Sequence, residues 1–233
     1  MRKLPLILIP LLLGAANDAG FDQRVGSILP LPASFIDDQG KPSTLGEAIG
    51  GRPAVLALVY YRCPNLCGFL LRDLTRALVP ITEDYSLIVA SIDPAEAPAE
   101  AAESRARFDS GGRRNWHFLT GDAVSLERAV GFKARRDPRN NQFIHPAGLI
   151  VLSPEGRINS YVLGLGYSTE VLRESLQSAR SGIERAKPSP IRLICFTYDA
   201  ATGQYSLAVS RILGVMAALT AAALGFFIIR GRR

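Results

Sequence analysis

LVYYRCPNLCGFLLRDL, Leu58 to Leu74, is an apolar run that breaks at two cysteines with three residues between them. From Leu66 onward, leucines recur at steps of four through Leu70, Leu74 and Leu78. A run apolar on both faces predicts a strand over Ala54 to Tyr61 covered on both sides, and the step of four predicts a helix over Leu66 to Leu78. Cys63 then ends the strand and Cys67 falls in the first turn of the helix. Strand ends in open α/β sheets gather function, and the partial positive charge of a helix N-terminus lowers a thiol pKa, so both cysteines are expected to become thiolates readily.

The spacing leaves three uses open: a bridge, a redox couple or a metal grip. Fully helical residues four apart hold their Cβ atoms about 5–6 Å apart, whereas a relaxed disulfide wants about 3.5–4.5 Å. A bridge therefore requires Cys63 to bend inward from its loop. Two metal–sulfur bonds of about 2.3 Å each allow roughly 4.6 Å between the sulfurs, so a metal is tolerated at least as easily.

Outward from this junction, strands and helices alternate. Ser86 to Ile92 reads as a second buried strand, Pro94 to Phe108 as a helix with an early proline, Trp116 to Leu119 as a short strand and Val124 to Val130 as a short helix. Ala147 to Leu152 and Arg157 to Val162 flank Ser153-Pro154-Glu155-Gly156 as a hairpin. Leu172, Leu176, Ala179 and Ile183 mark a last helix. This order predicts an α/β, thioredoxin-like domain over residues 21–186, with a central mixed sheet flanked by helices. Phe21 to Arg52 is expected to add one or two small strands, and no internal repeat is visible.

The two ends read as targeting. Arg2 and Lys3, the apolar Leu4 to Leu13 and the small residues Gly14-Ala15-Ala16 make residues 1–16 an expected signal peptide. Ile212 to Ile229 is 18 residues without a charge, followed by Arg230-Gly231-Arg232-Arg233, and is expected to form a C-terminal transmembrane helix with a cytoplasmic basic tail at 230–233. Residues 187–211, opening on Lys187-Pro188-Ser189-Pro190, form the linker between domain and anchor. The expected location is the bacterial inner membrane, with the domain on the periplasmic side. Of the 27 basic residues, five lie in these two ends, which leaves 22 against 21 acidic residues, so the net charge of +6 belongs to targeting and no nucleic-acid surface is implied.

Three cysteines are an odd count, so at least one stays outside an internal disulfide, and so few at close spacing favour chemistry over stapling. Two thiolates suit a soft ion but leave its coordination incomplete. Of the two histidines, His145 precedes the hairpin strand in a loop that approaches the end of the first strand, whereas His117 sits inside a short apolar strand as a packing residue. Cys63, Cys67 and His145 make a set of two thiolates and one imidazole, which fits copper better than zinc.

Cys63-x-x-x-Cys67, Ser91-Ile92-Asp93-Pro94 with Ala97-Pro98, Trp116-His117-Phe118-Leu119-Thr120-Gly121 and the distant His145 together resemble the Sco/SenC family over Asp22 to Ala186. The resemblance implies a thioredoxin-fold protein, membrane-tethered, that handles copper in cytochrome c oxidase assembly. It further implies that Cys63 and Cys67 are copper-binding thiols, His145 a copper-binding imidazole and Asp93 an acidic residue behind them. Asn65 and Gly68 depart from the Asp and Pro that many members carry there. A C-terminal rather than N-terminal anchor, Tyr60-Tyr61 and the tail around Cys195 mark a subgroup; Cys195 is expected to be buried or idle.

Two functions of different class follow. One is a metallochaperone that binds Cu(I), and also Cu(II), and passes it to cytochrome c oxidase subunit II or another copper-site protein. The other is a thiol–disulfide oxidoreductase in which Cys63 and Cys67 cycle, served by a thioredoxin-like reductant. His145 separates them, because thiol exchange needs no distant imidazole. A peroxidase on the same fold fits less well, since Tyr60 stands where a threonine three residues before Cys63 is wanted.

Overall fold

The computed structural model describes residues 19–63, 66–109, 111–139 and 141–182, two short strands at 196–199 and 204–207, and the single residues 217, 220 and 230. The expected signal peptide, Cys195 and nearly all of the expected span at 212–229 lie outside the described residues. Among the described residues no helix is long and apolar enough to cross a membrane.

The chain opens with β1 (Gly20–Phe21), β2 (Ser34–Asp37), β3 (Pro42–Thr44) and α1 (Leu45–Ile49), then β4 (Ala54–Val59), α2 (Leu66–Leu78), β5 (Ser86–Ser91), α3 (Pro98–Phe108), β6 (Trp116–Gly121) and α4 (Ala123–Val130). It continues through β7 (Phe132–Lys133), β8 (Arg135–Arg136), β9 (Phe143–Ile144), β10 (Gly148–Leu152), β11 (Ile158–Leu163) and α5 (Thr169–Arg180), with β12 (Phe196–Asp199) and β13 (Gln204–Leu207) beyond. Seven strands form one sheet in the order β11-β10-β4-β5-β6-β2-β3. β4, β5 and β6 run parallel, while β10, β11, β2 and β3 pair antiparallel, so the sheet is mixed. The fold is thioredoxin-like α/β.

All six residues of β4 and all six of β5 are buried. Alternate side chains serve opposite faces, as the two-residue period of a strand requires. Val55, Ala57 and Val59 pack with Leu70, Leu74 and Leu78 of α2 and Leu172 and Leu176 of α5; Ala54, Leu56 and Leu58 pack with Leu45 and Ile49 of α1 and Leu126 and Val130 of α4. Helices thus cover both faces. Each fully buried leucine contributes about 1.5–3 kcal/mol relative to leaving it in water.

Three local differences from the sequence reading have simple causes. α1 was not expected: it is only five residues long, held by a capping box in which Thr44 accepts from the Glu47 backbone while the Glu47 carboxylate accepts from Thr44. α3 starts at Pro98 rather than Pro94, because the Asp93 carboxylate accepts from the Ala95 amide at 2.9 Å and holds a turn there. Cys63 lies four residues past the end of β4, since Tyr60 to Cys63 form a turn closed by the Cys63 amide on the Tyr60 carbonyl at 3.1 Å. The segment expected as linker also contains the antiparallel pair β12–β13.

Candidate metal centre

β10 begins beside the end of β4, because their antiparallel register sets Leu149 against Ala57 and Leu152 against Ala54. The loop before β10, which carries His145, is thereby delivered to the loop after β4, which carries Cys63, and to the start of α2, which carries Cys67. Nε2 of His145 lies 3.2 Å from Sγ of Cys67. Nδ1 lies 3.0 Å from the Pro146 carbonyl, which can only accept, so Nδ1 carries the proton and Nε2 turns its lone pair toward the sulfur. Phe132 packs beside the ring at a centroid distance of 6.0 Å. Burial lowers the His145 pKa, so the imidazole is held neutral.

Neither Cys63 nor Cys67 is in a disulfide. Cys67 is 3% exposed, and its hydrogen bond with Cys63, together with burial, pushes its thiol well above the ordinary cysteine range. The expectation that the helix start makes Cys67 a ready thiolate is therefore overturned: the Cys63 hydrogen bond and the desolvation of Cys67 itself favour the neutral thiol over the charged one. Among the described residues no three His, Cys, Asp or Glu side chains are already spread around a common point as a metal cage. The sulfurs and imidazole instead close on one another. Two thiols, one of them met by the lone pair of a neutral imidazole, form a soft donor set, and also a thiol pair able to oxidise.

Access is from the α2–α3 side. A cleft of about 320 Å³ runs along Tyr60, Tyr61, Cys63, Cys67, Leu71 and Phe108, with Glu100, Glu103 and Arg107 among its charged residues. Phe69, two residues past Cys67, stands 62% exposed.

Asp93 is joined to the cysteine loop through Arg62, the residue before Cys63. Its carboxylate is almost completely buried and takes Arg62 at 3.1 Å and Arg136 at 3.2 Å. Glu96, which sequence reasoning passed over, is fully buried and accepts from the backbone amides of Tyr61 at 3.0 Å and Arg62 at 2.7 Å, and from the Ser91 hydroxyl at 2.6 Å. Burial nevertheless raises the Glu96 pKa above the ordinary carboxylate value. An acidic residue just ahead of a proline-started helix is the only signal the sequence offered for it. His117 stays in β6 opposite Ile88, away from the sulfur–imidazole contact, with its Nε2 buried and unpartnered and its pKa lowered by burial.

The SCO1/SenC family model matches residues 27–179, about two thirds of the 233 residues. The fold is similar to that of a SCO1/SenC family lipoprotein from Bacillus anthracis (17% identity, 69% of this chain and 99% of that chain, TM-score 0.57). It is also similar to that of Arabidopsis thaliana ScoI with copper bound (20% identity, 65% and 97%, TM-score 0.54). A third likeness is to BsSco, described as a member of the Sco family of cytochrome c oxidase assembly proteins in which a disulfide switch was identified (22% identity, 68% and 97%, TM-score 0.53). No curated protein sequence matches. With the matched span running from before β2 into α5 and enclosing Cys63, Cys67 and His145, the chain belongs to the SCO1/SenC family.

Proposed function

We propose that this protein is a copper metallochaperone: Cys63, Cys67 and His145 take Cu(I), and also Cu(II), and hand it to the copper site of cytochrome c oxidase subunit II. The observation that carries the reading is the approach of His145 Nε2, lone pair inward, to Cys67 Sγ at 3.2 Å. A redox dithiol does not need that imidazole. Copper is the cargo here, and a bound relative, Arabidopsis ScoI, supports its identity.

The residues divide the work. Cys63 and Cys67 each give up a proton to solvent as they take Cu(I), and the neutral imidazole adds a third donor without proton loss. Removing two thiol protons and adding one monovalent cation leaves the site one unit more negative, close to the guanidinium of Arg62. Transfer is ligand exchange: a recipient thiolate entering along the cleft replaces one donor at a time, and each released sulfur regains a proton.

The hydrogen bond between Cys63 and Cys67 favours a second reading, thiol–disulfide exchange. Both sulfurs would be oxidised to a disulfide while a partner's disulfide is reduced to two thiols, with two protons passing between them and a thioredoxin-like reductant restoring the start. We place the domain outside the cytoplasm, anchored in the inner membrane by residues 212–229; a reporter fused after Arg233 should then act as cytoplasmic and one inserted near Lys187 as exported.

Competition for Cu(I) against a chromogenic chelator, with the reduced full-length chain and its His145→Ala variant, separates the two chemistries. One tight equivalent that weakens in the variant is the expected result. Binding indifferent to His145, or none, would hand the function to thiol exchange.

A further inference from the structure

Each oxygen of the buried Asp93 carboxylate holds an arginine, and the two arginines come from the two segments that carry the sulfur–imidazole site. Oδ2 takes Nη2 of Arg62, the residue before Cys63, at 3.1 Å; Oδ1 takes Nη2 of Arg136 at 3.2 Å. Arg136 lies in β8 directly opposite Phe143 in β9, two residues before His145. Its guanidinium sits 4.6 Å from the Phe143 ring centroid, and that ring meets the Tyr60 ring edge-on at 5.4 Å. Glu96 completes the arrangement by accepting from the amides of Tyr61 and Arg62 and by pairing its charge with the Arg62 guanidinium, Nε at 3.5 Å. Two negative and two positive side chains thus balance in one network whose carboxylates are buried while the guanidiniums of Arg62 and Arg136 keep one side in water.

Resting on the copper-binding reading, we infer that Arg136 and Glu96 are positioning residues: through Asp93 and Arg62 they tie the His145 hairpin to the Cys63 loop and set the distance across which the imidazole meets the sulfurs. Neither touches the cargo. Arg136 acts on the imidazole, Glu96 on the cysteine loop. The long reach between segments is bridged by side chains because β8–β9 is only a two-residue pair and cannot fix its own place by backbone bonds alone.

The test uses Arg136→Gln, a half-exposed site that can lose its charge without opening the core, and Glu96→Gln, which keeps the shape. In the full-length reduced chain, Arg136→Gln should weaken Cu(I) binding about tenfold, the size expected when a residue supporting a metal ligand is lost. Combined with His145→Ala it should weaken binding no further, since the imidazole it positions is gone. An equal loss in both backgrounds, or no loss with His145 intact, overturns the assignment of Arg136. A second arm works without copper. Glu96→Gln should speed amide exchange at Tyr61 and Arg62, and Arg136→Gln at Ile144, while amides of β4 and β5 keep their rates; unchanged exchange at those three positions overturns the tie between the loops. If the parent chain takes no Cu(I), the metallochaperone reading fails by itself and the exchange rates alone decide whether the tie exists.

Discussion

Replacing Tyr61 by Phe removes one oxygen from a place where the fold and the site meet. The Tyr61 hydroxyl donates to the Val89 carbonyl at 2.8 Å and lies 3.1 Å from the Leu119 carbonyl, so a single proton is shared between β5 and β6. The ring flanks the cleft while the hydroxyl is buried, and burial holds its pKa well above the ordinary phenol range, so the donor is present throughout neutral and mildly alkaline conditions. Phenylalanine keeps the ring and opens no cavity beyond the lost oxygen. The cost is one net hydrogen bond plus part of the penalty for a buried carbonyl left without its donor, together about 1–2 kcal/mol. For a chain of this size that lowers Tm by about 3–6 °C, read by far-UV circular dichroism on the reduced protein. A shift below about 1 °C would refute the reasoning, because both carbonyls would then be satisfied by the sheet without the phenol.

Burial raises the pKa of Glu127 from 4.5 to about 7. A carboxyl whose folded pKa is raised contributes its stability fully below the unfolded pKa and loses it as pH climbs through the folded one. Glu127→Gln should therefore match the parent in urea midpoint near about pH 4 and exceed it near about pH 8; a gap that does not change with pH would exclude this linkage. Cys63 is half-buried beside the cleft, whereas Cys67 is 3% exposed with its thiol pushed up, so at about pH 8 iodoacetamide should label Cys63 several-fold faster. Equal labelling rates, resolved by peptide mass spectrometry, would count against the buried thiol.

The central sheet was legible because β4 and β5 are apolar at consecutive positions and both faces are covered; Leu66–Leu78 was legible because its step of four is long enough to show. α1 was hidden by its length, although Thr44-x-x-Glu47 is a readable capping box. The helix beginning at Pro98 was misplaced because Pro94 offers the same local signal, and only the Asp93 turn decides between them. The site splits the same way. Cys63, Cys67 and His145 could be chosen by residue type and position along the elements, and the structure brings them together. The charge state of Cys67 could not, since a helix start and the burial of the thiol pull in opposite directions and only packing says which wins. Asp93 is legible in its motif, but its two arginines come from separate segments and leave no periodic trace.

The antiparallel placing of β10 against β4 also sets a schedule. His145 follows Cys67 by 78 residues, so at about 5–20 residues per second the ribosome makes the imidazole roughly 4–16 s after the thiols. Throughout that interval the cysteines sit on a chain with no β10 to pair with β4 and no ring to stand against Cys67. Every element from β5 to β9 is built while they wait. A newborn chain therefore carries both thiols before it carries the ring that stands against Cys67.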